Sequence, residues 1–403
     1  MAEVTNYIDR LMAELCPDGV EYRPLGSLGK RNKGTAITAS KMRSLEPGNK
    51  DLRIFAAGST FVDTDSSNIP AKDILHGPAI IVKSRGYIGF EYYEKSFTHK
   101  NEMWSYTLDS SIVDQKFIYY YLLTQAYYLQ ELARSKSVKL PQLSVKDTDS
   151  LEVPVPPLEI QETIVEILDK FTDLEAELEA ELEARTLQYE YYRDSLFEAL
   201  DCPRVPLGSF ARLVRGSGMP KTDFSESGVG AIHYGQIYTK FGTATAEVIT
   251  HVPEEKAKKL AVVNPGDVIV ANTSENLEDV CKAVAWVGDS DIVTGGHATV
   301  IKAPEQNAKF ISYYMATGRF NKDKRRHAFG TKVIDVAPKN LAKIEFPVPP
   351  LEEQQRIVDI LDRFDALTGS LSEGLPAELA ARRSQYEYYR DQLLTFPRKG
   401  ENQ

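Results

Sequence analysis

The chain has 403 residues and a formal net charge of −10, which leaves room for two to four structural units. Hydrophobic residues make up 42% and charged residues 26%, the balance of a soluble globular protein, with no apolar run near the ~18 residues of a membrane span and no basic-then-apolar leader at Met1-Ala2-Glu3-Val4-Thr5. Cys16, Cys202 and Cys281 are scattered and form no CxxC pair, which excludes a disulfide framework and fits a reducing cytoplasm.

In chain order, Tyr7–Leu15 reads as a short amphipathic helix, followed by Cys16-Pro17 and by Arg23-Pro24-Leu25-Gly26-Ser27. Strands are expected at Ala79-Ile80-Ile81-Val82 and Tyr87-Ile88-Gly89-Phe90, then a helical stretch near Gln115–Leu132. Pro154-Val155-Pro156-Pro157-Leu158-Glu159 next opens a long helix. Its apolar stripe runs through Ile160, Ile164, Ile167, Phe171, Leu174, Leu178, Leu182, Tyr189, Tyr192 and Leu196. Cys202-Pro203 and Pro206-Leu207-Gly208-Ser209 then repeat the earlier entrance. The second globular segment has strands at Asp267–Ala271 and Ala283–Val287 and a helix near Ala308–Gly318.

Pro347-Val348-Pro349-Pro350-Leu351-Glu352 repeats the first helix start at an offset of 193. Gln161, Ile164, Leu168, Asp169 and Phe171 all recur 193 positions on, and Tyr189-Glu190-Tyr191-Tyr192-Arg193-Asp194 recurs as Tyr386–Asp391 at an offset of 197. The chain is therefore an internal duplication of a domain-plus-helix unit. It divides into an N-terminal helix and entrance (1–22), a first globular domain (23–155), a central helical region (156–202), a second globular domain (203–348) and a C-terminal helical region (349–403). The expected fold is α+β, with mixed α/β domains of one kind separated by long helices. A helix of roughly 65 Å, at ~1.5 Å per residue, with one apolar stripe needs a partner. Pairing along the stripe requires an antiparallel coiled coil and a pseudo-twofold, circular arrangement in which the N-terminal helix mimics the tail of the first long helix. Gly369, Gly374 and Pro376 interrupt the second copy, so a break is expected there, with a new helix starting near Pro376.

This layout resembles the specificity subunit of a type I restriction–modification system. The residues that carry the resemblance are Cys16-Pro17-Asp18-Gly19-Val20-Glu21-Tyr22, the two Pro-Pro-Leu-Glu-x-Gln helix starts, the two Tyr-Glu-Tyr-Tyr-Arg-Asp segments, and Tyr234-Gly235-Gln236-Ile237-Tyr238-Thr239. The resemblance implies that 23–155 and 203–348 are target-recognition domains, each reading one half of a split sequence in double-stranded DNA. It implies that the helices set the gap and dock two adenine-N6 methyltransferase subunits, which hold S-adenosylmethionine. Two motor-nuclease (restriction) subunits can join through them. The chain itself would be non-catalytic and without a cofactor.

Its own residues show no catalytic pattern. Asn264-Pro265-Gly266-Asp267 lacks the second proline and aromatic of a methyltransferase motif and reads as a turn. There is no GxxxxGK[ST] loop and no HExxH pair. Gly295-Gly296-His297 reads as a plain turn rather than a phosphate-approaching loop.

Charge is unevenly spread. Lys+Arg against Asp+Glu is 19 against 19 in 1–155, 3 against 14 in 156–202, 19 against 15 in 203–348 and 7 against 10 in 349–403. The acidic excess sits on the helices. Basic clusters in the domains fit phosphate neutralisation and base-edge reading. The candidate DNA contacts are Lys30, Arg31, Lys83, Ser84, Arg85, Lys136 and Lys139 in the first domain. In the second they are Arg215, Lys221, Gln236, Tyr238, Asn272, Thr273, Lys324, Arg325, Arg326 and Lys332. Tyr191, Arg193, Tyr388 and Arg390 point away from the stripe and are candidates for partner docking. The rival reading is a coiled-coil interaction scaffold without DNA function.

Overall fold

The computed structural model describes residues 2–45, 50–137, 139–368 and 374–400. The helices that carry and contact the domains are α1 (Ala2–Leu15), α2 (Gln115–Thr124), α3 (Leu158–Glu198), α4 (Ala308–Met315), α5 (Leu351–Thr368) and α6 (Gly374–Leu393). The chain divides into two compact units, Met1–Ala176 with Ala381–Gln403, and Glu177–Ala380. Among the described residues no helix is long and apolar enough to cross a membrane.

The first unit is built on a four-stranded antiparallel sheet. Its order is Gly29–Lys33, Trp104–Leu108, Ala79–Lys83, Gly89–Tyr93. Ala79, Ile80, Ile81 and Val82 are all fully buried, as an unbroken apolar run requires of a strand covered on both faces. A second sheet of Phe61–Thr64, Leu52–Phe55 and Phe97–His99 accompanies it. The helical stretch expected as one piece is two helices that part at Gln125, whose N–H bonds the carbonyls of Leu122 and Leu123.

The second unit repeats the first sheet with the same order: Arg212–Arg215, Ala298–Lys302, Val268–Ala271, Ala283–Trp286, extended by Ala244–Thr245. A four-stranded sheet, Thr250–Val252, Val229–Ile232, Ile292–Thr294, Ala261–Val263, replaces the three-stranded one. The entrances also match. Tyr22–Pro24 pairs with Glu152–Pro154, and Arg204–Pro206 with Glu345–Pro347. The hydroxyls of Ser27 and Ser209 each donate to the proline carbonyl three residues back, at 2.6 Å.

Each unit also holds a helix pair. In the first, Phe171 of α3 packs on Tyr386 and Tyr389 of α6 at ring distances of 6.3 and 5.9 Å, and Glu175 pairs with Arg383 at 2.6 Å. As one number rises the other falls, so these segments are antiparallel, as the stripes predict. In the second unit, Phe364 of α5 packs on Tyr189 and Tyr192 of α3 at 6.5 and 5.8 Å. Each copy of the phenylalanine meets the other copy's tyrosines.

One expectation needs correction. The N-terminal helix does not stand in for the tail of α3. That place in the first unit is taken by the segment after α6. Phe396 packs on Phe117 at 6.0 Å, as Phe197 packs on Phe310 at 5.0 Å in the second unit. The N–H of Val20 donates to Pro397 and that of Lys399 to Val20, while Ile8 and Leu11 of α1 join the same core as Leu393 and Leu394. The helix after the interruption in the second copy begins where expected, near Pro376. α5 ends at Thr368, and α6 begins at Gly374, whose φ of +73° no right-handed helix allows. Pro376 falls within the first turn of α6, where it is tolerated. Gly369 lies outside the described residues.

Candidate nucleic-acid interface

Each domain is seated on its helix by the same polar contacts. Gln161 is fully buried at the start of α3. Its carbonyl oxygen accepts from Asp114 N–H at 2.7 Å and its amide donates to the Pro156 carbonyl at 2.6 Å. Gln354 does the same with Asn307 N–H at 2.9 Å and Pro349 at 2.8 Å. Asp114 and Asn307 are the residues that cap α2 and α4. Two turns further on, Asp169 accepts from Lys116 and Tyr120 at 2.7 and 2.5 Å, and Asp362 accepts from Lys309 and Tyr313 at 2.7 and 2.8 Å. Burial first, with the nearby carboxylates adding to it, pushes the hydroxyls of Tyr120 and Tyr313 well above the usual phenol range. Sequence reasoning missed the domain half of this seat. The signal was there: Lys116-Phe117-Ile118 and Tyr120-Tyr121 recur as Lys309-Phe310-Ile311 and Tyr313-Tyr314 at the same offset of 193.

The basic candidates of the first domain separate into outward and inward groups. Lys30, Arg85 and Lys139 are exposed. Arg31 is exposed with Asp149 at 3.4 Å, and Lys136 is exposed and paired with Asp147. Arg85 bridges to Gln142, and Gly86 N–H donates to the Pro141 carbonyl. The fold thus brings Arg85 to the segment that holds Lys139. Lys83 is taken up by Glu91 at 2.7 Å. Ser84 is 2% exposed and donates to the Glu102 carbonyl. It supports the turn and presents nothing outward.

In the second domain Arg215, Lys221, Arg325, Arg326 and Lys332 are outward-facing or part-exposed. Arg325 faces Glu278 at 3.6 Å and Arg326 faces Asp323 at 3.4 Å, surface pairs that contribute little. The remaining candidates are used inside the fold. Gln236 accepts from His233 N–H and donates to Thr250, closing a capping box. Tyr238 donates to the Thr273 carbonyl at 2.7 Å. Asn272 is fully buried between Val336 and Thr299, and the Thr273 hydroxyl meets His297 at 3.1 Å. Lys324 is 2% exposed and donates to the carbonyls of Glu278 and Val280, both at 2.7 Å. Burial lowers its pKa. Polar type and a nearby turn were not sufficient grounds for placing these residues at a surface.

The docking candidates also divide. Tyr191 and Tyr388 are 70% and 58% exposed. Arg193 is buried over the ring of Tyr189 at 5.6 Å and bonded to Asp194, and Arg390 lies over Tyr386 at 5.7 Å and is bonded to Asp391. The arginines therefore turn back onto the stripe tyrosines, and the middle tyrosines are the most exposed of each set. Among the described residues no group of three or more His, Cys, Asp or Glu side chains is placed to hold a metal.

Two α+β modules on one helical frame, with a repeated seat and diverged outer sheets, define a duplicated two-module protein. The family model for the type I restriction modification DNA specificity domain matches residues 17–184 and 204–381. The Escherichia coli type I restriction enzyme EcoR124I/EcoR124II specificity subunit is 30% identical, over 99% of this chain and 98% of its own. A putative type I restriction enzyme specificity subunit of Haemophilus influenzae is 29% identical over 70% of this chain and 73% of its own. Among solved structures, the S subunit of a type I system from M. genitalium superposes with a TM-score of 0.53 at 16% identity, covering 93% of this chain and 95% of that one. A chain from a type I system, solved for its complex assembly and conformational transition, gives 0.56 at 15%, covering 93% and 96%. The chain belongs to the type I restriction–modification DNA specificity family.

Proposed function

We propose that this chain is the non-catalytic address of a methyltransferase and endonuclease complex. Each globular domain reads one half of a bipartite target in double-stranded DNA. The helices set the unread gap and dock two adenine-N6 methyltransferase subunits, and through them the restriction subunits. S-adenosylmethionine belongs to the methyltransferase partner, and the assembly works in the cytoplasm. The observation that carries this reading is the contrast between what the duplication kept and what it changed. The seat of each domain on its helix shares four bonds with the other, while the second sheets differ in strand number. A common mount with different reading surfaces suits two unlike half-sites.

The exposed Tyr191 and Tyr388 support the docking part, since aromatics are enriched at interface cores. Mapping methylated adenines in cells with and without this gene tests the whole. One bipartite, non-palindromic motif should disappear with the gene. An unchanged methylation map, with the methyltransferase expressed, would refute a DNA address. Loss of a continuous motif would refute two half-sites.

A further inference from the structure

The two units open with Pro-Leu-Gly-Ser at an offset of 182, and the same offset carries Lys33-Gly34-Thr35 onto Arg215-Gly216-Ser217. These are the same place in the fold. In each unit the edge strand of the first sheet ends on the basic residue (Gly29–Lys33; Arg212–Arg215). The glycine leaves the sheet, and the hydroxyl residue bridges in parallel to the neighbouring segment, Thr35 to Lys100 and Ser217 to Gly295. Nothing larger than glycine fits. A Cβ on Gly34 would stand 2.0 Å from the His99 carbonyl oxygen, and one on Gly216 would stand 1.9 Å from that of Gly295.

Each crossing gathers cations from distant parts of the sequence. In the first unit Thr35 donates to Asp73 at 2.9 Å, which brings Lys72 alongside. Lys100, opposite Thr35, pairs with Glu102 at 2.6 Å, and Ser84, next to Arg85, donates to the Glu102 carbonyl at 2.7 Å. In the second unit the Ser217 hydroxyl donates to the Lys259 carbonyl. His297 follows Gly295 by two residues, at a φ of +66°, and Met219, two residues before Lys221, lies so close to Gly295 that a Cβ on the glycine would stand 2.1 Å from that of Met219. Lys33, Lys72 and Arg85 are exposed in one unit, and Arg215, Lys221 and Lys259 in the other. The acids alongside are Asp73 and Glu102 in the first unit. In the second it is Asp335, 3.4 Å from Arg215 in a surface pair.

We propose that these two glycine crossings are equivalent contacts to the DNA phosphate backbone, one per unit. Lys33 and Arg85 act in the first unit, Arg215 and Lys259 in the second. The inference rests on the DNA reading above and assigns the part of it that carries no sequence information. The glycines let each strand end cross its neighbour's backbone at close range, which fixes where the basic residue before it and the hydroxyl residue after it emerge. Cations converging from separate segments neutralise phosphates whatever the bases. The crossing kept its basic-glycine-hydroxyl sequence while the second sheet beside it changed strand number, as sequence-independent contacts allow and base contacts to unlike half-sites would not.

The test uses the chain in complex with its methyltransferase. The probes are a labelled duplex bearing the motif mapped in cells and an unrelated duplex of equal length. Binding is titrated across salt for wild type, Lys33→Gln, Arg215→Gln, Lys259→Gln and, as a control, the exposed Lys343→Gln. Each crossing variant should lower the slope of log affinity against log salt by about 0.9 for every phosphate no longer neutralised. Each should weaken both duplexes by the same factor and leave the methylated motif unchanged, with Lys343→Gln matching wild type. Wild-type slopes in the crossing variants overturn the proposal, as does weakening confined to the target duplex. If the wild-type complex binds neither duplex with salt dependence, the DNA reading itself falls with it.

Discussion

Replacing Gln354 by leucine should unseat the second domain from α5. The side chain is 1% exposed, and leucine fills nearly the same volume without its hydrogen bonds. Three disappear: from Asn307 N–H at 2.9 Å, to the Pro349 carbonyl at 2.8 Å and to the Gln306 side chain at 2.7 Å. Gln306 is half-buried and can turn to water. The Asn307 N–H and Pro349 carbonyl are left without a partner, at about 1–3 kcal/mol each. Better burial of an apolar side chain returns part of this, so a net loss of about 2–4 kcal/mol is expected from these two groups. For a unit of this size that lowers the unfolding midpoint by on the order of 10 °C. Calorimetry reads the loss, and hydrogen exchange places it, with protection falling first at the amides of 307–310. Gln161→Leu should act equally at Asp114 in the first unit. A loss under about 0.5 kcal/mol, the range of an ordinary surface change, or protection lost evenly along the chain, would show that the buried glutamines are not the seat.

Lys324 is held below its ordinary pKa of 10.5 by burial. The unfolded chain therefore binds more protons than the native one just below that value, and stability should rise with pH there. The unfolding free energy of wild type minus that of Lys324→Met, measured by urea titration, should grow as pH rises towards 10.5; a flat difference refutes it. Burial pushes the Cys281 thiol up to about 12, while Cys16 and Cys202 are only half-buried. A thiol reagent at mildly alkaline pH should label those two in the native protein and reach Cys281 only on unfolding, and rapid native labelling of all three would contradict the burial. Deleting Ala176-Glu177-Leu178-Glu179 removes about one turn, ~6 Å, from α3 while keeping its stripe in phase. The methylated motif should keep its half-sites and change its gap, and altered half-sites would mean that recognition has been misplaced.

The frame of the molecule was legible because helices are local patterns. The stripe from Ile160 to Leu196, the Pro-Pro-Leu-Glu starts and the offset of 193 point to helices that need partners, and Phe171 and Phe364 find theirs. The reading surface was not legible, because hydrogen-bond satisfaction depends on residues far apart in sequence. Asn272 looks like a base reader until Val336 and Thr299, 64 and 27 residues away, are seen to claim both ends of its amide. Lys324 sits in a basic run with Lys322, Arg325 and Arg326, yet the carbonyls of Glu278 and Val280 draw it inward. Arg85 and Lys139 are far apart in the chain, and only the bridge from Arg85 to Gln142 shows that they share a surface.

The reciprocal packing explains why Tyr-Glu-Tyr-Tyr-Arg-Asp survived in both copies. In one unit Phe171 lies against Tyr386 and Tyr389, and Arg390 covers Tyr386. In the other Phe364 lies against Tyr189 and Tyr192, and Arg193 covers Tyr189. A change in either tyrosine segment meets a phenylalanine supplied by the opposite repeat, so neither copy can drift alone. Packing fixes the first and third tyrosines and folds the arginine back onto the first. The middle ones stand only edge-on against their neighbours, Tyr191 on Tyr192 at 5.7 Å and Tyr388 on Tyr389 at 5.3 Å. Tyr191 and Tyr388 leave their rings largely in water, where burial offers no reason to keep an aromatic. Their retention in both copies is therefore the part of the repeat that packing explains least and that a partner used twice would explain. Tyr191→Ser with Tyr388→Ser should leave the unfolding free energy within about 0.5 kcal/mol of wild type, as surface changes do, while weakening co-purification of the methyltransferase. A fall in stability with the partner still bound would return these tyrosines to the frame.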